Sequence, residues 1–294
     1  MSHPTVDKIL DWHHQDIEQR FGFRGQKYTD VGTFFALFLT FILTGLFFSV
    51  VFLLPLSVRN GKAFAMILHR GWTPFAMVGL FILGLVILFV KWRKVAFQEK
   101  AFGIEVIPAG ASFELTPTTA QEALKRLSSF VDDPKQFVLF NRIERSLLNL
   151  RNLGNLSDVS EMLRSQAEND ENHMESSYGI LQGIVWTLPI LGFIGTVTGL
   201  SGAIGAFGKA LNAGTSIGDL REGLAPVTDN LGIAFDTTFV ALILAMIIQI
   251  LMTLLRKREE LFLDACRDYA HGNVISRLRL IENQQTPSPA VEKE

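Results

Sequence analysis

Thr196, Thr237 and Thr238 are hydroxyl residues set inside long apolar runs of a 294-residue chain. A hydroxyl both donates and accepts, so it can relay a proton through water or help coordinate a passing cation without a permanent charge in hydrocarbon. The residues around them are regularly spaced. In LGFIGTVTGL (191–200) and the following SGAIGAF, Gly192, Thr196, Gly199 and Ala203 fall within about 60° of one another on a helix, and Thr198 projects to the opposite side. Around FDTTFVALILA (235–245), residues Ala234, Thr237, Thr238, Ala241, Ala245 and Gln249 share an arc of about 120°. Small residues at such spacing also let helices approach closely, so packing alone accounts for either face taken singly. Two small faces that both carry threonine favour hydroxyls lining a shared pathway. Asp236 lies about 160° from the centre of the second arc. It is the acidic residue within a span, so it belongs either at the outer water interface or, paired, on the ion path.

The elements that hold these residues are membrane-crossing helices. The chain is 48% hydrophobic with a mean hydropathy of +0.28, too apolar for an ordinary soluble domain of this length. Its 27 Lys+Arg nearly cancel its 29 Asp+Glu, which leaves no global field for nucleic acid or a polyanionic substrate. The single cysteine, Cys266, excludes an intramolecular disulfide and a thiolate cluster. Uncharged stretches of about 20 residues suffice to cross a bilayer as helices with every backbone amide bonded internally. Such stretches account for spans at 31–56, 71–92, 182–207 and 231–255, in which Lys91 near the end of the second and Asp236 in the fourth are the charges. The expected fold is an all-α integral membrane protein with four transmembrane helices and long cytoplasmic helical extensions.

Lys and Arg flank spans 1, 2 and 4 on one side (Arg20, Arg24, Lys27; Lys91, Arg93, Lys94; Arg256, Lys257, Arg258), which favours both termini in the cytoplasm. Residues 57–70 and 208–230 are then external, 93–181 a cytoplasmic helical domain, 256–282 a cytoplasmic helix and 283–294 a disordered tail. The N-terminal segment 1–30 is charged where a cleavable signal would be apolar, so span 1 is expected to be retained. That segment reads as amphipathic, either on the membrane surface with Trp12 and Phe21 dipping in or as a plain cytoplasmic helix. Thr118 and Thr119 ahead of Glu122 predict a helix start, and the polar run before span 3 predicts one long helix entering it. Glu168, Glu171 and Glu175 share a face there, either as a solvated surface or as an acidic cytoplasmic mouth. The six histidines are scattered, without metal spacing, and no nucleophile–base pair or phosphate loop points to an enzyme.

Pro189, Gly192, Gly195, Thr196 and Gly199 meet a Pro-x-x-Gly-x-x-Gly-Thr-x-x-Gly pattern, and Thr237–Thr238 precede small residues in the last span. In these segments the chain resembles the MotA/TolQ/ExbB proton-channel family. Its four spans are more similar to the MotA arrangement than to the three-span arrangement of ExbB and TolQ. The resemblance implies a ring, most simply a homopentamer, in the bacterial inner membrane around two copies of a single-span partner of MotB/ExbD/TolR type. The partner's aspartate would carry H+ or Na+ past Thr196 and Thr237, with no cofactor, and ring rotation would convert the gradient to force. It also implies partner-facing or packing roles for Pro189, Gly192, Gly195, Gly199, Ala203, Ala241 and Ala245. A transporter or permease subunit and a non-conducting scaffold are the alternatives; the first should show internal repeats, and none is evident.

Overall fold

The computed structural model describes residues 10–23, 25–55, 66–68, 71–107, 115–149, 156–213 and 217–277. Most of the expected outer loop 57–70 and the tail 283–294 lie outside these residues. Most of the described residues are helical, and Leu10 and Val131 form an isolated parallel bridge. The chain divides into two compact units: residues 14–97 with 172–261, and residues 1–13 with 98–171 and 262–294.

The first unit contains the apolar helices: α3 (Thr33–Leu53), most of α4 (Thr73–Gln98), α8 (Gly179–Ala213) and the apolar length of α9 (Ile217–Asn273). Four helices are long and apolar enough to cross a membrane. Span 1 is the least covered of them: Phe34 is 83% and Phe41 82% exposed, apolar area that only lipid or another chain can cover. It leans on span 2 through Phe48 and Phe75, whose ring centroids are 5.1 Å apart. Span 2 meets span 4 where Gly84 lies against Ile248.

Several sequence expectations change here. The long helix expected to enter span 3 is present over Asp158–Leu211, with one turn residue in it: Tyr178, whose amide donates to Glu175 O, stands between α7 (Leu156–Ser177) and α8. Within the expected outer loop 208–230, α8 continues to Ala213 and α9 starts at Ile217. There Gly223 sits so near Ala210 that an added Cβ would come within 2.8 Å of its methyl.

The second unit is built on α5 (Pro117–Phe130) and α6 (Val138–Asn149). The start of α5 falls ahead of the predicted Thr118: Thr116 is the cap, paired with Thr119 in a reciprocal capping box, and Pro117 takes the first helical position, where an amide would have no partner anyway. Trp12 belongs to this unit and is 1% exposed. Its amide donates to Asp132 Oδ1 at 2.9 Å, and its ring stands edge-on to Phe137 at 5.3 Å. Trp12 is therefore unavailable to a membrane surface, and among the described residues the helical parts of this segment are α1 (Trp12–Gln15) and α2 (Ile17–Arg20).

Candidate functional site in spans 3 and 4

The glycine stripe of span 3 meets the small face of span 4 within one chain. Gly192 faces Ala241 and the Thr238 backbone, Gly195 faces the Thr237 side chain, and Gly199 faces the backbone of Asn230 and Ala234. A Cβ on Gly199 would lie 2.8 Å from Ala234 N and from Asn230 O, atoms that cannot swing aside. Ala203, Ala234, Ala241 and Ala245 are all buried. The absence of side chains here permits close backbone approach, which supplies dispersion contact where hydrophobicity gives no drive.

The threonines sit differently on this seam. Thr237 is fully buried against Gly195. Its hydroxyl donates within its own helix, to Ile233 O at 2.9 Å or Ala234 O at 3.1 Å. Thr196 and Thr238 are half-buried at the edge of the seam. Their hydroxyls also donate to their own helices, Thr196 to Phe193 O at 2.6 Å and Thr238 to Phe235 O at 2.9 Å. With the proton engaged by a carbonyl, each oxygen still has lone pairs to accept from a water or a hydrated ion. Asp236 is half-buried and lies off the seam, as its helical phase requires.

Beside the seam, toward the end of the spans that carries Arg256, opens a groove of about 1000 Å³. Pro189, Ala245 and Gln249 are in its wall, and Arg256, Lys257 and Glu260 line its end. Thr196 follows Pro189 by seven residues and Thr238 precedes Ala245 by seven, so each threonine lies within about 20° of a groove residue on its own helix, two turns on. The groove and the two half-buried hydroxyls thus share one flank of the helix pair, whereas Thr237 lies inside the contact.

Glu168, Glu171 and Glu175 each face a basic side chain. Glu168 pairs with Arg164 at 3.2 Å, Glu175 with Arg256 at 3.1 Å, and Glu171 lies 3.9 Å from Arg267. An acidic mouth built from them starts largely neutralised. Among the described residues no group of His, Cys, Asp or Glu is placed to hold a metal.

Sequence reasoning missed a buried ionic cluster in the same unit. Lys91 and Glu259 are 1% and 2% exposed and 3.1 Å apart. Glu259 also accepts from Tyr178 Oη at 2.8 Å and from the Thr29 hydroxyl. Lys91 donates to Ser177 Oγ at 2.8 Å and lies over the Tyr178 ring, 4.5 Å from its centroid. One turn on, Lys94 donates to Asp30 O at 2.6 Å and pairs with Glu18 at 3.1 Å. Glu18 in turn accepts from the Gly32 amide at the start of α3, at 2.8 Å. Burial raises the Asp16 carboxyl above its ordinary range, against the pull of nearby Lys94. The only signal in the sequence was that Lys91 and Lys94 recur at helical spacing, which reads equally well as an inner-leaflet anchor.

Four helices long and apolar enough to cross a membrane, with a hydroxyl-bearing small-residue seam between the last two, mark a multi-pass membrane protein. Residues 132–267 match the family model of the MotA/TolQ/ExbB proton channel family. No curated protein and no solved structure matches the chain.

Proposed function

We propose that the chain is the ring-forming subunit of an ion-driven motor, assembled as a homopentamer in the inner membrane with both termini cytoplasmic. In this reading the ring surrounds two copies of a single-span partner whose aspartate carries H+, or Na+, past the threonine flank. The observation that supports it is the alignment of the groove beside Pro189, Ala245 and Gln249 with Thr196 and Thr238 two turns on. The partner's helix would close the open side of that groove. Its carboxylate, protonated or ion-loaded, would then travel in hydrocarbon at reduced cost, and the threonine oxygens would accept from the ion's shell during exchange.

Thr237 has a second part in this scheme. Seated on Gly195, it fixes the rotation of span 4 against span 3 and so the direction in which Thr238 points. Asp236, off the seam, would attract cations from the external side. The small residues Gly192, Gly195, Gly199, Ala203 and Ala241 hold the helix pair together within the protomer.

Co-expression with a single-span, aspartate-bearing membrane protein, followed by native mass spectrometry, tests the assembly. Five copies of this chain with two of the partner are expected. A stable monomer or dimer in mild detergent contradicts the proposal.

A further inference from the structure

A cavity of about 180 Å³ lies in the unit that contains α5 and α6. Arg142 of α6, Ser160 and Arg164 of α7, and Arg267 and His271 of α9 supply its polar wall, and no carboxylate lines it among the described residues. Every one of these side chains can present a donor, and arginine presents donors only. Arg142 is the buried member, 1% exposed. Its Nε donates to Asp170 Oδ2 at 2.8 Å and its Nη1 reaches Leu263 O at 3.5 Å, but its Nη2 has no hydrogen-bond partner. A permanently charged guanidinium with a buried, unanswered donor is a costly arrangement unless an acceptor arrives.

The other two arginines are only lightly engaged. Arg164 is 68% exposed and meets Glu168 through a single nitrogen, and Arg267 is 59% exposed and 3.9 Å from Glu171, beyond hydrogen-bond length. Both therefore keep donors for a ligand. The space equals that of about six waters at ~30 Å³ each and falls below the ~300 Å³ at which sites for larger ligands begin. A compact oxyanion fits these limits, whereas a nucleotide does not.

We propose that this cavity binds a phosphoryl group, either as free phosphate or as the end of a small phosphomonoester, with Arg142 Nη2 as its buried anchor. A tetrahedral anion offers acceptors in several directions at once, which suits forked donors arriving from three helices. Occupancy ties α6, α7 and α9 together, so the ligand stabilises the folded chain by mass action. The site involves none of the groove or seam residues, and its test does not depend on ion conduction.

The test uses the full-length chain in detergent, titrated calorimetrically with inorganic phosphate and with glycerol 3-phosphate, and followed in parallel by thermal unfolding. Chloride at matched ionic strength is the control. Replacing Arg142 would break its bond to Asp170 and disturb the fold, so the comparison is with Arg164→Gln/Arg267→Gln, which alters exposed side chains only. Wild type should bind phosphate saturably in the millimolar range or tighter, with an unfolding midpoint that rises in phosphate and not in chloride. The double variant should bind about ten-fold more weakly or worse, with its midpoint in chloride unchanged. Tighter binding of glycerol 3-phosphate assigns the source to a metabolite and tighter binding of phosphate to the free ion; either supports the site. Absence of saturable binding to the folded wild type, or undiminished affinity in the folded double variant, overturns it.

Discussion

Two contacts in the membrane unit bring its helices together by opposite physics. The seam between spans 3 and 4 is made by leaving atoms out: Gly192, Gly195 and Gly199 let backbone meet backbone. The cluster around Lys91 and Glu259 is made by putting charges in, with Tyr178, Ser177 and Thr29 answering the remaining donors and acceptors. The seam tolerates no added volume but is indifferent to pH and salt. The cluster does not tolerate the loss of one charge, because the remaining ion would be buried alone. The difference predicts which substitutions each region tolerates.

The largest effect is expected in the cluster. Lys91→Met leaves Glu259 buried without its cation and should destabilise the chain by about 3–5 kcal/mol. Lys91→Met combined with Glu259→Leu should recover more than half of that loss, since replacing both ions by apolar groups is often close to neutral. Thermal unfolding of the two single variants and the double in detergent measures the coupling, and simple additivity would show that the pair is not a unit.

The next effect belongs to the seam. Gly199→Val should cost about 1–3 kcal/mol or more, because the intruding carbons meet backbone atoms of Asn230 and Ala234. Gly205→Ala, where an added Cβ meets nothing within 4 Å, should be neutral or slightly stabilising. Equal losses at both positions in the same unfolding assay would mean that the seam is not the close contact described.

The seam was legible in the sequence, and the cluster was not, for a physical reason. A small-residue stripe is a local pattern: the positions of Gly192, Gly195, Gly199 and Ala203 on one helix, and of Ala234, Ala241 and Ala245 on the other, fix the two faces by helical phase alone. Lys91 and Glu259 are 168 residues apart, and nothing local distinguishes a lysine that snorkels to headgroups from one that turns inward to a carboxylate. Four spans and their approximate limits could be read from charge-free runs. The tight turn at Tyr178 could not, since SYGILQ carries no helix-breaking residue other than Gly179, and the Tyr178 hydroxyl is held by distant Glu259. Thr237 and Thr238 are adjacent and chemically identical. Only packing separates the one sealed against Gly195 from the half-buried one at the seam's edge.

A smaller effect comes from the pH response near the cluster. The Asp16 carboxyl is raised by burial, so the folded chain holds this proton more tightly than the unfolded chain. The contribution from that proton is fully present below the unfolded value of 3.8 and is lost as pH rises through the folded value. Asp16→Asn should therefore raise the unfolding midpoint slightly at neutral pH, with an advantage that shrinks as pH falls toward 3.8. An advantage that grows on acidification would reverse the assigned sign.

The smallest structural effect is expected from the threonines. Thr237→Val removes a hydroxyl that bonds only to its own helix, at Ile233 O or Ala234 O, and should cost less than about 1.5 kcal/mol. Thr196→Val and Thr238→Val should cost no more. Their effect should appear in conduction, which separates a hydroxyl that packs from one that serves an ion.

Proton flux into liposomes holding the chain with the proposed single-span partner tests this separation directly, with Thr196→Val and Thr238→Val compared against Thr198→Val, whose hydroxyl is likewise bonded to its own helix but points away from the seam. The account predicts that the first two variants assemble normally and lose most of their flux, whereas Thr198→Val conducts as wild type does. Wild-type flux in both Thr196→Val and Thr238→Val would contradict it and leave the threonine flank with a packing role alone.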